Sequence, residues 1–127
     1  MVPAAAAMRV ARALLVGALC AGLAACGVSV SDINARPDKY YQHKVSVTGL
    51  VARLQSLPGE TLLEVEDSRG SRILVRSTEA LEVRTGDWVR VRGLLLPEAR
   101  VGDTVLYDVI SAEHITRTRA PRLRNLM

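Results

Sequence analysis

Residues able to do chemistry are few in this chain, and their spacing narrows the choice. His43 and His114 are the two histidines, far apart in sequence, and neither has a partner at metal-ligand spacing. Ser46, Ser68, Ser71 and Ser77 lie outside any nucleophile-elbow setting, and two distant histidines make no case for a triad. Glu64, Glu66, Asp67 and Glu79 could pair sterically, but at alternating strand positions they read as solvated outward charges. No glycine-rich phosphate cradle occurs. No metal, no cofactor and no enzymatic activity is expected. Cys20 and Cys26 are the only thiols, and Cys26 follows an aliphatic residue and two small ones, Leu23-Ala24-Ala25.

The elements around Cys26 say what its thiol is for. Met8-Arg9-Val10-Ala11-Arg12 is positive, and Ala13 to Ala25 is thirteen residues without a charge. That run suits a secretory leader and falls short of the roughly 20 apolar residues of a spanning helix. Leu23-Ala24-Ala25-Cys26 resembles the lipobox of bacterial lipoproteins. The resemblance implies cleavage before Cys26, lipid on its sulfur and on its new amino group, and no thiol left for a disulfide. A start at Met8 gives a more typical leader than Met1. Acyl chains anchor a protein at about 0.8 kcal/mol per buried methylene, so several hold almost permanently. Gly27 stands where an aspartate typically marks inner-membrane retention in enteric-type bacteria, which implies a chain facing the periplasm from the outer membrane. An ordinary secretory leader with an incidental cysteine, or an uncleaved anchor, is the competing reading.

Removal of residues 1–25 from the 127 leaves 102, enough for one small domain. The net charge of +4 sits at the ends. Between Val30 and Thr116 there are 11 Lys/Arg against 13 Asp/Glu, while Arg117, Arg119, Arg122 and Arg124 crowd the last eleven residues.

Residues 26–32 read as a short tether, and Pro37 begins a helical turn. Val45, Val47, Gly49 and Val51 then alternate with Ser46, Thr48 and Leu50, a half-buried strand. Residues 61–67 and 71–76 make the second and third, with Leu63, Val65, Ile73 and Val75 inward and a turn at Asp67-Ser68-Arg69-Gly70. Residues 77–84 form a short helical or irregular connector. Strand four carries Val89 and Val91, Pro97 to Asp103 reads as a polar loop, and strand five begins near Thr104 and ends at Ile110 or Ile115. Gly49 and Gly93 inside strands suit the sharp bends of a closing sheet. The expectation is an all-β, five-stranded closed barrel with a short helical connector over residues 33–116, then a disordered basic tail, 117–127.

Val45-Ser46-Val47-Thr48-Gly49-Leu50-Val51, Val65-Glu66-Asp67, Thr85-Gly86-Asp87-Trp88-Val89-Arg90-Val91-Arg92-Gly93 and Tyr107-Asp108-Val109 resemble the recurring segments of OB-fold domains. Ala35-Arg36-Pro37-Asp38-Lys39-Tyr40-Tyr41 resembles the lead-in of small exported bacterial members. An SH3-like barrel is the structural alternative. The OB resemblance implies contacts on strands two and three and on the loops, which singles out Arg72, Arg76, Gln55 to Glu60 and Pro97 to Asp103, with Trp88, Arg90 and Arg92 as a further patch. Single-strand binding uses stacked rings in a cationic groove. This chain has no phenylalanine and no ring on strands two and three, so nucleic acid is disfavoured. A haem-ferrying exported OB family places a histidine near a tyrosine after the barrel, and His114 has no tyrosine downstream. The reading is a lipid-anchored, non-enzymatic binding or adaptor module at the cell envelope, attached to the membrane through Cys26 and meeting an envelope protein. An oligonucleotide binder and a small-ligand or haem carrier are its alternatives. Arg117, Arg119, Arg122 and Arg124 are candidates for an anionic lipid or acidic partner.

Overall fold

The structure is a computed structural model describing residues 27–120. Cys20, Cys26, Arg122 and Arg124, and with them the leader and most of the tail, lie outside the described residues. The elements run α1 (Val30–Ala35), a 3-10 turn (Pro37–Lys39), β1 (Lys44–Leu57), β2 (Glu60–Glu66), β3 (Arg72–Ser77), β4 (Trp88–Val101) and β5 (Thr104–Thr118). The five strands close into a barrel in the order β1-β2-β3-β5-β4, with β4 returning to β1. Only the β3–β5 pairing is parallel.

Alternation fills the interior as expected. Val45, Val47, Val51, Leu63, Val65, Ile73, Val75, Val89 and Val91 are all buried, joined by Leu95 and Ile110. Closure demands close approach at two points. A Cβ on Gly49 would stand 2.5 Å from the Glu66 carbonyl oxygen, and one on Gly93 would stand 2.8 Å from the Ala112 Cα. Gly93 also lies where the β4–β5 register shifts, so the strand bends where no side chain can fit.

Four boundaries differ from expectation. The tether expected over 26–32 is packed from Val28 onward, whose amide donates to the Ser46 carbonyl at 3.3 Å. Val30 and Ile33 of α1 are wholly buried in the core. They cover the barrel end at the β2–β3 turn, where Asn34 also donates to the Arg72 carbonyl. The connector from 78 to 87 contains no helix; Val83 reaches the core as chain without regular structure. Pro97 to Val101 belongs to β4, and only Gly102 and Asp103 separate it from β5. Pro97 falls at a gap in the β4–β5 ladder, between the Leu96–Val109 and Glu98–Tyr107 pairs, where Asp108 on β5 has φ 56°. The tail begins later than 117: β5 continues to Thr118, with Arg117 opposite Val89.

One buried carboxylate fastens α1. Asp67, only 8% exposed, accepts from the Ser31 amide at 3.0 Å and its hydroxyl at 2.5 Å, and from the amides of Arg69 and Ser71, both at 2.9 Å. Burial acts to raise its pKa, but the donors from Ser31, Ser71 and Arg69 outweigh it and hold the group below its ordinary value. A lowered folded pKa stabilises above the unfolded value of about 3.9, and the contribution disappears as pH falls through the folded value. Asp67→Asn is expected to cost about 1.5–3 kcal/mol at neutral pH, since one charged acceptor is lost and an amide then faces backbone donors. Thermal melts across pH check it: the variant should also lose stability less steeply below about pH 4. Equal melting points at neutral pH would contradict the fastening role.

Candidate binding surfaces

The barrel carries two outward faces of different chemistry. On the first, cross-strand register sets side chains in rows over β1, β2 and β3. Gln55 lies opposite Leu62, which lies opposite Arg76; Arg53 lies opposite Glu64, which lies opposite Leu74. The side chains of each row share a face because the period of a strand is two. Arg53, Gln55, Leu62, Glu64 and Leu74 line a shallow depression of about 260 Å³. Half-buried Leu62 and Leu74 form its apolar floor, with charges of both signs at the rim.

Arg72 sits at one side of this face with its charge engaged, 3.1 Å from Glu66 and 3.2 Å from Glu64. Those carboxylates raise its pKa, Glu66 foremost. Arg76, at the other side, reaches the Arg100 carbonyl and the Ser111 hydroxyl, both at 3.4 Å, and draws the β4–β5 hairpin alongside. Its Nε is buried with no partner, as is Oε1 of Glu60. Among the described residues the exposed large apolar side chains are Leu54, Val105 and Tyr107, the last 67% exposed. All three belong to the β1–β2 and β4–β5 hairpins.

The second face is the outside of β4. Trp88, Arg90 and Arg92 alternate along it, flanked on β1 by Leu50, Thr48 and Ser46 and on β5 by Thr118, Thr116 and His114. A hollow of about 390 Å³ at its edge is lined by Gly27, Val28, Ser46, Thr48, Asp67, Ser68, Arg69, Trp88 and Arg90. Arg69, Arg90 and Arg92 make no ion pair among the described residues. The Asp67 carboxylate in the hollow keeps its negative charge, held by four hydrogen bonds, and is outnumbered by the three arginines. This face is therefore cationic, with one ring.

The five contact residues singled out from sequence thus divide: Arg72 and Arg76 lie on the first face, Trp88, Arg90 and Arg92 on the second. Gln55 and Glu60 belong to the first face, whereas Pro97 to Val101 form strand. Arg117 is exposed and faces Asp87 at 3.9 Å, and Arg119 lies exposed just beyond β5. Sequence reasoning passed over Arg53 and Arg69. Arg53 follows the β1 bulge at Ala52, which shifts the alternation. Arg69 was absorbed into a turn.

No family model matches this chain, and no curated protein matches it. Solved structures do. An asparaginyl-tRNA synthetase from Pyrococcus horikoshii is 16% identical over 76% of this chain, with a TM-score of 0.55. A structure described as an aspartyl-tRNA synthetase from Leishmania major Friedlin is 14% identical over 71%, with a TM-score of 0.56. This chain spans only 24% and 20% of those two enzymes. The OBody AM1L10, in complex with hen egg-white lysozyme, is 18% identical over 75% of this chain and 95% of its own, with a TM-score of 0.56. At such identities the likeness speaks for architecture alone. Residues 27–120 form an OB-fold: an all-β closed barrel of five strands.

Proposed function

We propose that this chain is a non-enzymatic binding module, anchored at the bacterial envelope through lipid on Cys26, that receives a segment of a protein partner across β1–β2–β3. The observation that carries the binding half is the depression over Leu62 and Leu74. It offers apolar floor area, a rim of both charges at Arg53 and Glu64, and flanking hairpins with exposed Leu54, Val105 and Tyr107. Such a mixture suits a polypeptide, whose backbone and side chains present both polarities, better than a polyanion. The OBody structure, whose partner is lysozyme, shows a similar barrel holding a protein. The anchor half is supported by Leu23-Ala24-Ala25-Cys26 and the uncharged run before it.

A photo-reactive residue at Gln55, introduced in the full chain and activated in intact cells, tests the reading. One discrete protein adduct is expected, with Leu62→Asp reducing it at least about tenfold, since truncating or charging a central anchor commonly costs 2 kcal/mol or more. An adduct insensitive to Leu62→Asp would sink the reading.

A second reading, an oligonucleotide binder, draws on Trp88 and on Arg69, Arg90 and Arg92, which make no ion pair among the described residues. Steep salt-dependent binding of a single strand at near-physiological salt is its signature.

A further inference from the structure

Covalent geometry joins the second face to the anchor. Gly27 lines the hollow beside Trp88, Arg69 and Arg90, and Val28 is already fixed to β1 through its bond to the Ser46 carbonyl. Consecutive Cα atoms are about 3.8 Å apart across a trans peptide, so Cys26 attaches within one residue of this face. One peptide bond joins Cys26 to Gly27, so whatever Cys26 carries is rooted next to this face. A lipid root at that point brings the outside of β4 to the bilayer.

The face has the chemistry for that position. Arg69, Arg90 and Arg92 are without ion pairs among the described residues, His114 lies opposite Arg92, and the cross-strand neighbours are serine, threonine and leucine. Trp88 is half-buried between Leu50 and Thr118. Tryptophan beside arginine is the composition favoured at a membrane–water boundary, where an amphipathic ring settles at the headgroup level. Each arginine near an anionic surface raises occupancy about fivefold, so three acting together are worth about a hundredfold. A single-stranded nucleic acid fits less well: successive bases need successive rings, and this face has one.

We propose that Arg69 and Arg90, beside Trp88 in the hollow, and Arg92 farther along the same face of β4 form a docking surface for the anionic headgroups of a membrane. The proposal rests on the anchoring reading for its orientation. It leaves the β1–β2–β3 depression on a different face from the lipid.

Trp88 is the only tryptophan in the sequence and reports directly on this face. The full chain is incorporated into vesicles of phosphatidylcholine alone, or of phosphatidylcholine with phosphatidylglycerol. Whatever the N-terminal region does, only headgroup charge differs between the two. In the anionic vesicles Trp88 emission should shift to the blue and be quenched by brominated phosphatidylglycerol. Both effects should fade at high salt. Combined Arg69→Glu, Arg90→Glu and Arg92→Glu should abolish them, and Arg100→Glu, on the β4–β5 hairpin, should not. Identical emission and quenching in the two vesicles would overturn the proposal. So would quenching by a single-stranded oligonucleotide at near-physiological salt with no vesicle response. The mass of Cys26 on chain recovered from cells separates the two ideas. Acylated Cys26 with a silent Trp88 sinks the docking surface alone; a bare thiol with a responsive Trp88 sinks the anchor and leaves the surface standing.

Discussion

Gly93→Val is expected to abolish the cooperative melt or lower it by about 15 °C, equivalent to a loss of roughly 3 kcal/mol or more. The reason is backbone, not side chain. A Cβ at this position meets the Ser111 carbonyl oxygen and stands 2.8 Å from the Ala112 Cα. A flexible neighbour could swing away; a strand held in its ladder cannot. Relief would require opening the β4–β5 pairing at the bend, which closes the barrel. Against a typical domain stability of about 5–15 kcal/mol, that is a large fraction. Gly27→Ala, where nothing lies within 4 Å of the added carbon, serves as the control and should melt like the parent. Circular dichroism on the two purified variants decides the matter. A Gly93→Val protein melting with the parent would mean that β4 and β5 are farther apart than described.

Val30→Asp should cost about 3–5 kcal/mol, the cost of an uncompensated charge in a core. Val30 is wholly buried, and it lies among residues that the sequence presents as a tether. A tether residue could take a carboxylate with no consequence, so the substitution separates the two descriptions cleanly. Asp32→Ala on the exposed side of the same helix should move the melt little, by at most about 0.5 kcal/mol. If Val30→Asp folds as stably as the parent, α1 is not part of the barrel.

The strands were legible where one physical signal dominated. Val45, Val47 and Val51, with Gly49 in the same alternation, could satisfy only a half-buried strand, and Leu63, Val65, Ile73 and Val75 follow the same logic. Gly49 and Gly93 marked the crowded bends. α1 escaped because it is six residues long and rich in small polar side chains. Its signal was present: Ser29 precedes Asp32 by three, as in a helix-capping pair, and Val30 and Ile33 share one helical face. The end of β4 was misjudged because Pro97 and Gly102 both read as loop. A proline is tolerated in a strand at a step without a ladder pair, as Pro97 is between the Leu96–Val109 and Glu98–Tyr107 pairs. The two binding faces were hidden for a different reason. Alternation tells inside from outside, but which outward residues are neighbours depends on strand order and register. Arg72 and Trp88 stand on different faces because β4 lies between β1 and β5, a matter of topology that local pattern does not encode.

The placement of β5 between β3 and β4 bears on how the polypeptide reaches this shape. β5, the last of the described strands in sequence, pairs with both β3 and β4, which share no ladder with each other. Non-local pairing of this kind makes folding slow, because long loops must close before their contacts repay the entropy. A chain without residues 104–118 has the partners for an open four-stranded sheet, β3-β2-β1-β4, but no enclosed interior. The interior can therefore close only after residues 104–118 have been made.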